Sequence, residues 1–189
     1  LATALPAGWS VVATGDFNRD GGGDVLLQGG GTLVAWFLDA SGAYAGGTAV
    51  NGSPLPAGWT VAGTGDMNAD GITDVVLQGG GTVVNWMLDA FGRYQGGNVL
   101  ATNLPAGWQV VGVGDLNGDA VADIVLQDGS TVVDWILDGA GAVQGSNVLS
   151  TSLPAGFTVR ALGDLDANGA DDLVVQGGSI VVDWLISNG

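Results

Sequence analysis

Apolar positions in this chain fall in short runs that alternate with glycine-rich and acidic turns, and the whole alternation recurs four times. The clearest runs are Val25-Leu26-Leu27-Gln28, Val75-Val76-Leu77-Gln78, Ile124-Val125-Leu126-Gln127 and Leu173-Val174-Val175-Gln176. They are rich in Val and Leu and bounded by Gly, Pro and Asp, the signature of strands rather than helices. Nothing of helical length and period competes. The first repeat predicts strands over residues 9–14, 24–28, 32–39 and 44–50, with equivalents in the later repeats.

The repeat has a period of about 49 residues and carries two aromatic landmarks. The first falls at Trp9, Trp59, Trp108 and Phe157, after Leu-Pro-Ala-Gly, and the second at Trp36, Trp86, Trp135 and Trp184. Four short antiparallel strands per unit of this length make a β-propeller blade. Small residues at Ala13, Gly63, Gly112 and Ala161 suit a crowded innermost strand. The expected fold is therefore all-β: one repeat domain of four propeller blades over residues 1–50, 51–99, 100–148 and 149–189, the last truncated. Gly189 aligns near Ala140 and Leu1 near Leu100, so about ten residues of the last unit are supplied by neither end. This predicts a partial propeller, a half-ring that oligomerises, or a small ring with one thin blade.

Composition narrows the chemistry. The chain of 189 residues has three Arg, no Lys, 19 acidic residues that are all Asp, no His and no Cys, for a net charge of −16. So few cations cannot neutralise a phosphate backbone or an anionic lipid surface, which argues against nucleic acid as a partner. Without His and Cys there are no zinc sites, thiol nucleophiles, disulfides or Ser-His triads. No apolar run approaches the roughly 20 residues of a membrane-spanning helix, so membrane insertion is not expected.

The aspartates are concentrated in a pattern Asp-x-Asn-x-Asp-x-x-x-Asp, once per repeat. It reads Asp16, Asn18, Asp20 and Asp24; Asp66, Asn68, Asp70 and Asp74; Asp115, Asn117, Asp119 and Asp123; and, with amide and acid exchanged, Asp164, Asp166, Asn168 and Asp172. Alternate side chains at positions 1, 3, 5 and 9 can converge on one point, joined by the position 7 carbonyls of Gly22, Ile72, Val121 and Ala170. That is a donor set for a hard cation, above all calcium, at about four ions per chain. Four divalent ions would bring the charge to −16 + 8 = −8. A plain Asp/Asn turn is the bland alternative, and fourfold recurrence weighs against it. A helix-loop-helix site lacks its position 12 Glu. Loop three has Ala120 where Gly21, Gly71 and Gly169 stand, which predicts the weakest site or a distorted turn.

Other residues have simpler readings. The strand tryptophans are expected to pack in the core rather than stack on sugars, and Gln28, Gln78, Gln127 and Gln176 to serve as strand-end hydrogen-bonding groups. Asn85, Asp134 and Asp183, opposite Ala35, vary between repeats and are candidates for local function. Arg160 stands where Val12, Ala62 and Val111 do. Aspartates are the only plausible acid/base groups and most belong to the loops, so no enzyme is expected.

The strings Gly-Asp-Phe-Asn-Arg-Asp-Gly-Gly-Gly-Asp-Val-Leu-Leu and Gly-Asp-Leu-Asn-Gly-Asp-Ala-Val-Ala-Asp-Ile-Val-Leu resemble the FG-GAP/VCBS family of calcium-loop propeller repeats, and the likeness extends over essentially the whole chain. The resemblance implies calcium at the loop positions and blades belonging to a propeller of about seven, which favours a partial propeller or a half-ring that oligomerises. It further implies a secreted or cell-surface module for adhesion, recognition or assembly, with a glycan or a cell-surface protein as partner and with its ends covered by further blades or another copy. A carbohydrate-binding lectin with inter-blade pockets and a filament-forming structural repeat are the alternatives.

Overall fold

The computed structural model describes residues 4–187, which contain strands and turns and no helix. The first blade is β1 (Trp9–Gly15), β2 (Asp24–Gly29), β3 (Thr32–Leu38) and β4 (Tyr44–Ala49). The second is β5 (Thr60–Gly65), β6 (Asp74–Gly79), β7 (Thr82–Leu88) and β8 (Tyr94–Ala101), and the third β9 (Gln109–Gly114), β10 (Asp123–Asp128), β11 (Thr131–Leu137) and β12 (Val143–Ser150). The fourth has three strands, β13 (Phe157–Gly163), β14 (Asp172–Gly177) and β15 (Ile180–Trp184). Each blade is an antiparallel meander in chain order, and together they form a four-bladed β-propeller array. Predicted strand limits hold to within about one residue in the first three blades, because Gly and Asp punctuate every edge, whereas β15 ends at Trp184, short of the limit carried over from the first repeat.

Each innermost strand carries a bulge at the same place, skipping Val12, Ala62, Val111 and Arg160 in the register with its neighbour. The extra residue bends and twists the strand near the axis. Val12, Ala62 and Val111 pack into inter-blade cores, whereas Arg160 is exposed at the far end of the array.

Apolar burial lies between blades. Phe17, Leu26 and Leu33 of the first blade meet Ile72, Val75 and Leu77 of the second, and comparable clusters join the second to the third and the third to the fourth. At the axis the inner strands β1, β5, β9 and β13 pack in succession, and no comparable packing joins β13 back to β1. Glycine is required there: a Cβ on Gly63 would lie 2.5 Å from Val113 Cγ2, and one on Gly112 would collide with Leu162. Trp86, Trp135 and Trp184 are half-buried against these clusters as expected for packing residues, while Trp36 stands outside them and meets Tyr44 edge-on at 5.4 Å.

The strand-end glutamines lock one blade to the next. Nε2 of Gln78 donates to the Trp108 carbonyl at 3.0 Å while its Oε1 accepts the N–H of Val110 at 3.0 Å. Gln127 does the same to Phe157 and Val159, at 2.9 and 3.0 Å. Gln28 donates to the Trp59 carbonyl at 3.3 Å. Gln176 turns back on its own hairpin, donating to the Gly178 carbonyl.

Candidate functional site

Each acidic loop joins the first strand of a blade to the second, so four equivalent loops sit at the same end of four sheets. The backbone enters the left-handed region twice per loop. The first instance is at Arg19, Ala69, Gly118 and Ala167, and the second at Gly21, Gly71, Ala120 and Gly169. Every loop therefore has one glycine and one residue with a Cβ at these two positions. Loop three merely exchanges them, with φ of 77° at Gly118 and 68° at Ala120. The expected distortion of the third turn is not found. Ala120 N–H reaches Asp115 Oδ2 at 2.7 Å, as Gly71 N–H reaches Asp66 Oδ2 at 2.7 Å.

Backbone N–H groups aim the side chains. The first-position carboxylates accept from the fifth and sixth residues of their loops: Asp16 from Asp20 and Gly21, Asp66 from Asp70 and Gly71, Asp115 from Asp119 and Ala120, Asp164 from Asn168 and Gly169. Third-position oxygens of Asn18, Asn68, Asn117 and Asp166 accept the fifth-position N–H. Fifth-position Asp20, Asp70, Asp119 and Asn168 accept from Gly22, Ile72, Val121 and Ala170. Of those seventh residues, Ile72, Val121 and Ala170 are buried.

The ninth position is different. Asp24, Asp74, Asp123 and Asp172 are essentially inaccessible, and each uses both oxygens on backbone N–H groups. One comes from the second loop residue (Phe17, Met67, Leu116, Leu165) and one from the end of the third strand (Leu38, Leu88, Leu137) or just beyond it (Ile186). Burial raises the pKa of Asp24, and it raises Asp74 and Asp123 to about 7, with the charges at the first and fifth positions of each loop adding to the effect. A carboxylate held this way lacks a compensating positive charge, and three Arg cannot supply it to twelve loop aspartates. The donor set is all oxygen, anionic and pre-oriented, which fits a hard divalent cation.

The side chains converge to different degrees. In the first three loops the amide nitrogens of Asn18, Asn68 and Asn117 donate to Asp20, Asp70 and Asp119 at 2.9, 3.0 and 3.0 Å. In the fourth the exchange of amide and acid brings Asp164, Asp166 and Asp172 together with ligand oxygens all within 4.8 Å, while Asn168 donates away to the Ile186 carbonyl.

Sequence reasoning missed the eighth loop position. Thr73, Ala122 and Asp171 donate their N–H groups to the carbonyls of Asp16, Asp66 and Asp115 in the preceding loops, at 2.7, 2.7 and 2.5 Å. Thr73 Oγ1 and Asp171 Oδ2 also accept the N–H of Asp16 and of Asp115. The loops are thus chained, each fastened to the first ligand of its neighbour. Irregular residue types at this position (Gly23, Thr73, Ala122, Asp171) hid the role, since the bond is made by backbone.

The variable polar set divides in two. Asn85 and Asp134 are buried and brace their outer strands, Asn85 accepting from Asn98 N at 2.7 Å and Asp134 from Asn147 N at 2.6 Å; Asn85 also reaches the next blade by donating to the Gly141 carbonyl at 2.7 Å, whereas Asp183 is exposed. Separate clefts open between blades near the glutamine clasps. One of about 580 Å³ lies between the third and fourth blades, beside Gly107, Gln127, Ser130 and Phe157, and one of about 390 Å³ between the second and third, beside Thr60, Gln78 and Trp108.

No protein-family model matches the sequence, and no curated protein matches it. Solved structures do resemble the fold. An Agrocybe aegerita lectin, studied for specific recognition of non-reducing terminal N-acetylglucosamine, aligns over 93% of this chain and 48% of its own at 15% identity, with a TM-score of 0.69. The pore form of the Photorhabdus luminescens Tc holotoxin aligns over 88% of this chain and 8% of its own at 16% identity, with a TM-score of 0.59. The chain thus spans about half of the lectin's length and a small part of the toxin's. Identities this low carry the propeller fold alone.

Proposed function

We propose that this chain is a calcium-binding propeller module of a secreted or cell-surface protein, serving adhesion, recognition or assembly, with one ion in each acidic loop. The observation that carries the reading is the buried ninth-position aspartate, repeated four times without a cationic partner and surrounded by backbone-aimed oxygens. The ion supplies the missing positive charge. Asp16, Asp66, Asp115 and Asp164 would open the sites, with the third, fifth and ninth positions and the seventh carbonyl completing them, as the resemblance to FG-GAP/VCBS repeats implies. Its role is structural: ordering the turn also orders the carbonyl that fastens the next blade. No catalytic role is assigned. Calorimetric titration of metal-free protein should give close to four calcium sites per chain, and none at millimolar calcium would overturn the reading.

A second reading, carbohydrate binding, is favoured by the inter-blade clefts and by the propeller shared with a lectin. These clefts have the wall of backbone and Trp or Phe on which a pyranose could lie. A glycan array containing N-acetylglucosamine-terminated glycans, read with and without chelator, tests it, and the absence of any glycan signal in calcium would remove it.

A further inference from the structure

The third blade departs from the repeat at one turn. Its second strand ends in Gln127-Asp128-Gly129-Ser130, where the first and second blades have Gln followed by three glycines. Those glycines have structural causes. A Cβ on Gly29, Gly79 or Gly177 would run into the ring of Trp9, Trp59 or Phe157, and one on Gly31 or Gly81 would lie 2.9 Å from the Leu55 or Leu104 carbonyl. Gly31 and Gly81 are also left-handed, with φ of 82° and 85°, whereas Ser130 is not. The turn is rebuilt to carry a carboxylate and a hydroxyl, yet it keeps its bond to the next blade, Leu153 N–H reaching the Ser130 carbonyl at 3.0 Å.

Both departures border the cleft of about 580 Å³ between the third and fourth blades. Ser130 lines it, and its hydroxyl has one long bond, 3.4 Å to the Thr151 carbonyl. The Asp128 carboxylate lies over Gly107, which lines the same cleft. On the fourth blade the cleft is lined by Thr158, whose Oγ1 is the sole buried side-chain oxygen or nitrogen without a hydrogen-bond partner among the described residues. Gln127 cannot serve it: Nε2 is taken by the carbonyls of Gly129 and Phe157, and Oε1 by the Val159 N–H. A buried hydroxyl left unpaired is costly, and a ligand group that bonds to it relieves the cost.

The rest of the wall is largely apolar, with Leu153 and the Phe157 ring in it, and no cation lines it. The chain has a net charge of −16. The occupant this suits has hydroxyls on one side, an apolar face on another and no negative charge, which describes a neutral sugar ring. The cleft opens at the opposite end of the sheets from the acidic loops, because the turn between second and third strands and the start of the innermost strand lie there. An ion in a loop would act on it through the fold alone.

We propose, resting on the carbohydrate reading above, that this one cleft is the sugar site of the chain and that it takes neutral saccharides, one per chain. Thr158 and Ser130 bind ring hydroxyls, Phe157 and Leu153 take the apolar face, and Asp128 accepts from a further hydroxyl while repelling uronic and sialic acids. The cleft between the second and third blades has Gly79, Gly80 and Gly81 in place of the polar turn and takes no sugar.

Calorimetric titration of the full chain in calcium with N-acetylglucosamine, galactose, mannose, glucuronic acid and N-acetylneuraminic acid tests this, with saturation-transfer NMR for the weaker binders. A neutral sugar should bind at one site per chain, and the acids about tenfold more weakly or worse. Thr158→Val keeps the shape and removes the hydroxyl, and Ser130→Gly restores the residue of the first two blades; each should weaken binding about three- to tenfold. Thr60→Val, in the neighbouring cleft, should leave it unchanged. Circular dichroism spectra that match wild type check that the variants fold. Sugar bound at several sites, or bound as well after both Thr158→Val and Ser130→Gly, would overturn the assignment and leave the carbohydrate reading standing. Acids bound as tightly as neutral sugars would overturn the selectivity. No binding of any neutral sugar would overturn the proposal, and silence on the glycan array as well would remove the carbohydrate reading with it.

Discussion

The Gln78 side-chain carbonyl accepts the backbone N–H of Val110 in the next blade at 3.0 Å, 32 residues away in sequence. That contact, with its partner bond to the Trp108 carbonyl, fixes the height of one sheet against the next. Apolar packing alone is non-directional and would allow the blades to slide.

Gln78→Ala leaves the N–H of Val110 without its partner at a junction between blades, where Val110 is buried. The expected cost is about 1–3 kcal/mol, read as a lower urea midpoint with unchanged slope. Gln127→Ala should behave alike, because Gln127 makes the same pair of bonds. Gln28→Ala, which gives up one long bond, should cost less. Equal losses in all three would show that the clasp is not what stabilises the junction.

Asp74→Asn tests the ninth position. An amide cannot accept from both Met67 and Leu88 N–H groups, since one end of it is a donor. Asn at this place should destabilise the metal-free protein by about 1–3 kcal/mol and remove one calcium site in titration. Loss of the site without loss of metal-free stability would mean that the bonds to Met67 and Leu88 contribute little.

The pH dependence should run opposite to ordinary acid denaturation. Asp74 and Asp123 have pKa values near 7 when folded against a usual 3.8, so between those limits the folded chain binds more protons than the unfolded one. Stability then falls as pH rises through this window. In chelator, the melting temperature should be higher at about pH 5 than at about pH 8. Calcium should raise it most at the higher pH, where protons no longer compete for the carboxylates. A metal-free protein that gains stability as pH rises through the window would contradict the burial argument.

The period, the strands and the places of the acidic loops were legible in the sequence because Gly, Asp and Trp recur at fixed places and each has a local cause. The junctions were less so. Gln28, Gln78 and Gln127 announced hydrogen bonding but not the partner, which lies one blade away. The chaining of loops through Thr73, Ala122 and Asp171 was invisible because a backbone N–H leaves no mark on residue type. Loop three misled for a related reason: Ala120 stands where Gly21, Gly71 and Gly169 do, while the compensating glycine of that loop, Gly118, occupies the other left-handed position two residues earlier.

That pairing gives the last prediction. A left-handed conformation costs a residue with a Cβ about 1 kcal/mol relative to Gly, and every loop bears this cost once. Ala120→Gly should therefore raise stability by about that amount, and Gly118→Ala should lower it equally. The double exchange, Gly118→Ala with Ala120→Gly, gives loop three the same arrangement as loop two, with Ala at the fourth position and Gly at the sixth, and should leave both melting temperature and calcium affinity near wild type. Thermal melts of the three variants, with calcium titration of each, would show it. If the double variant bound calcium distinctly more tightly than wild type, position six would matter to the ion in a way that backbone strain does not explain, and the equivalence of the four loops would fail.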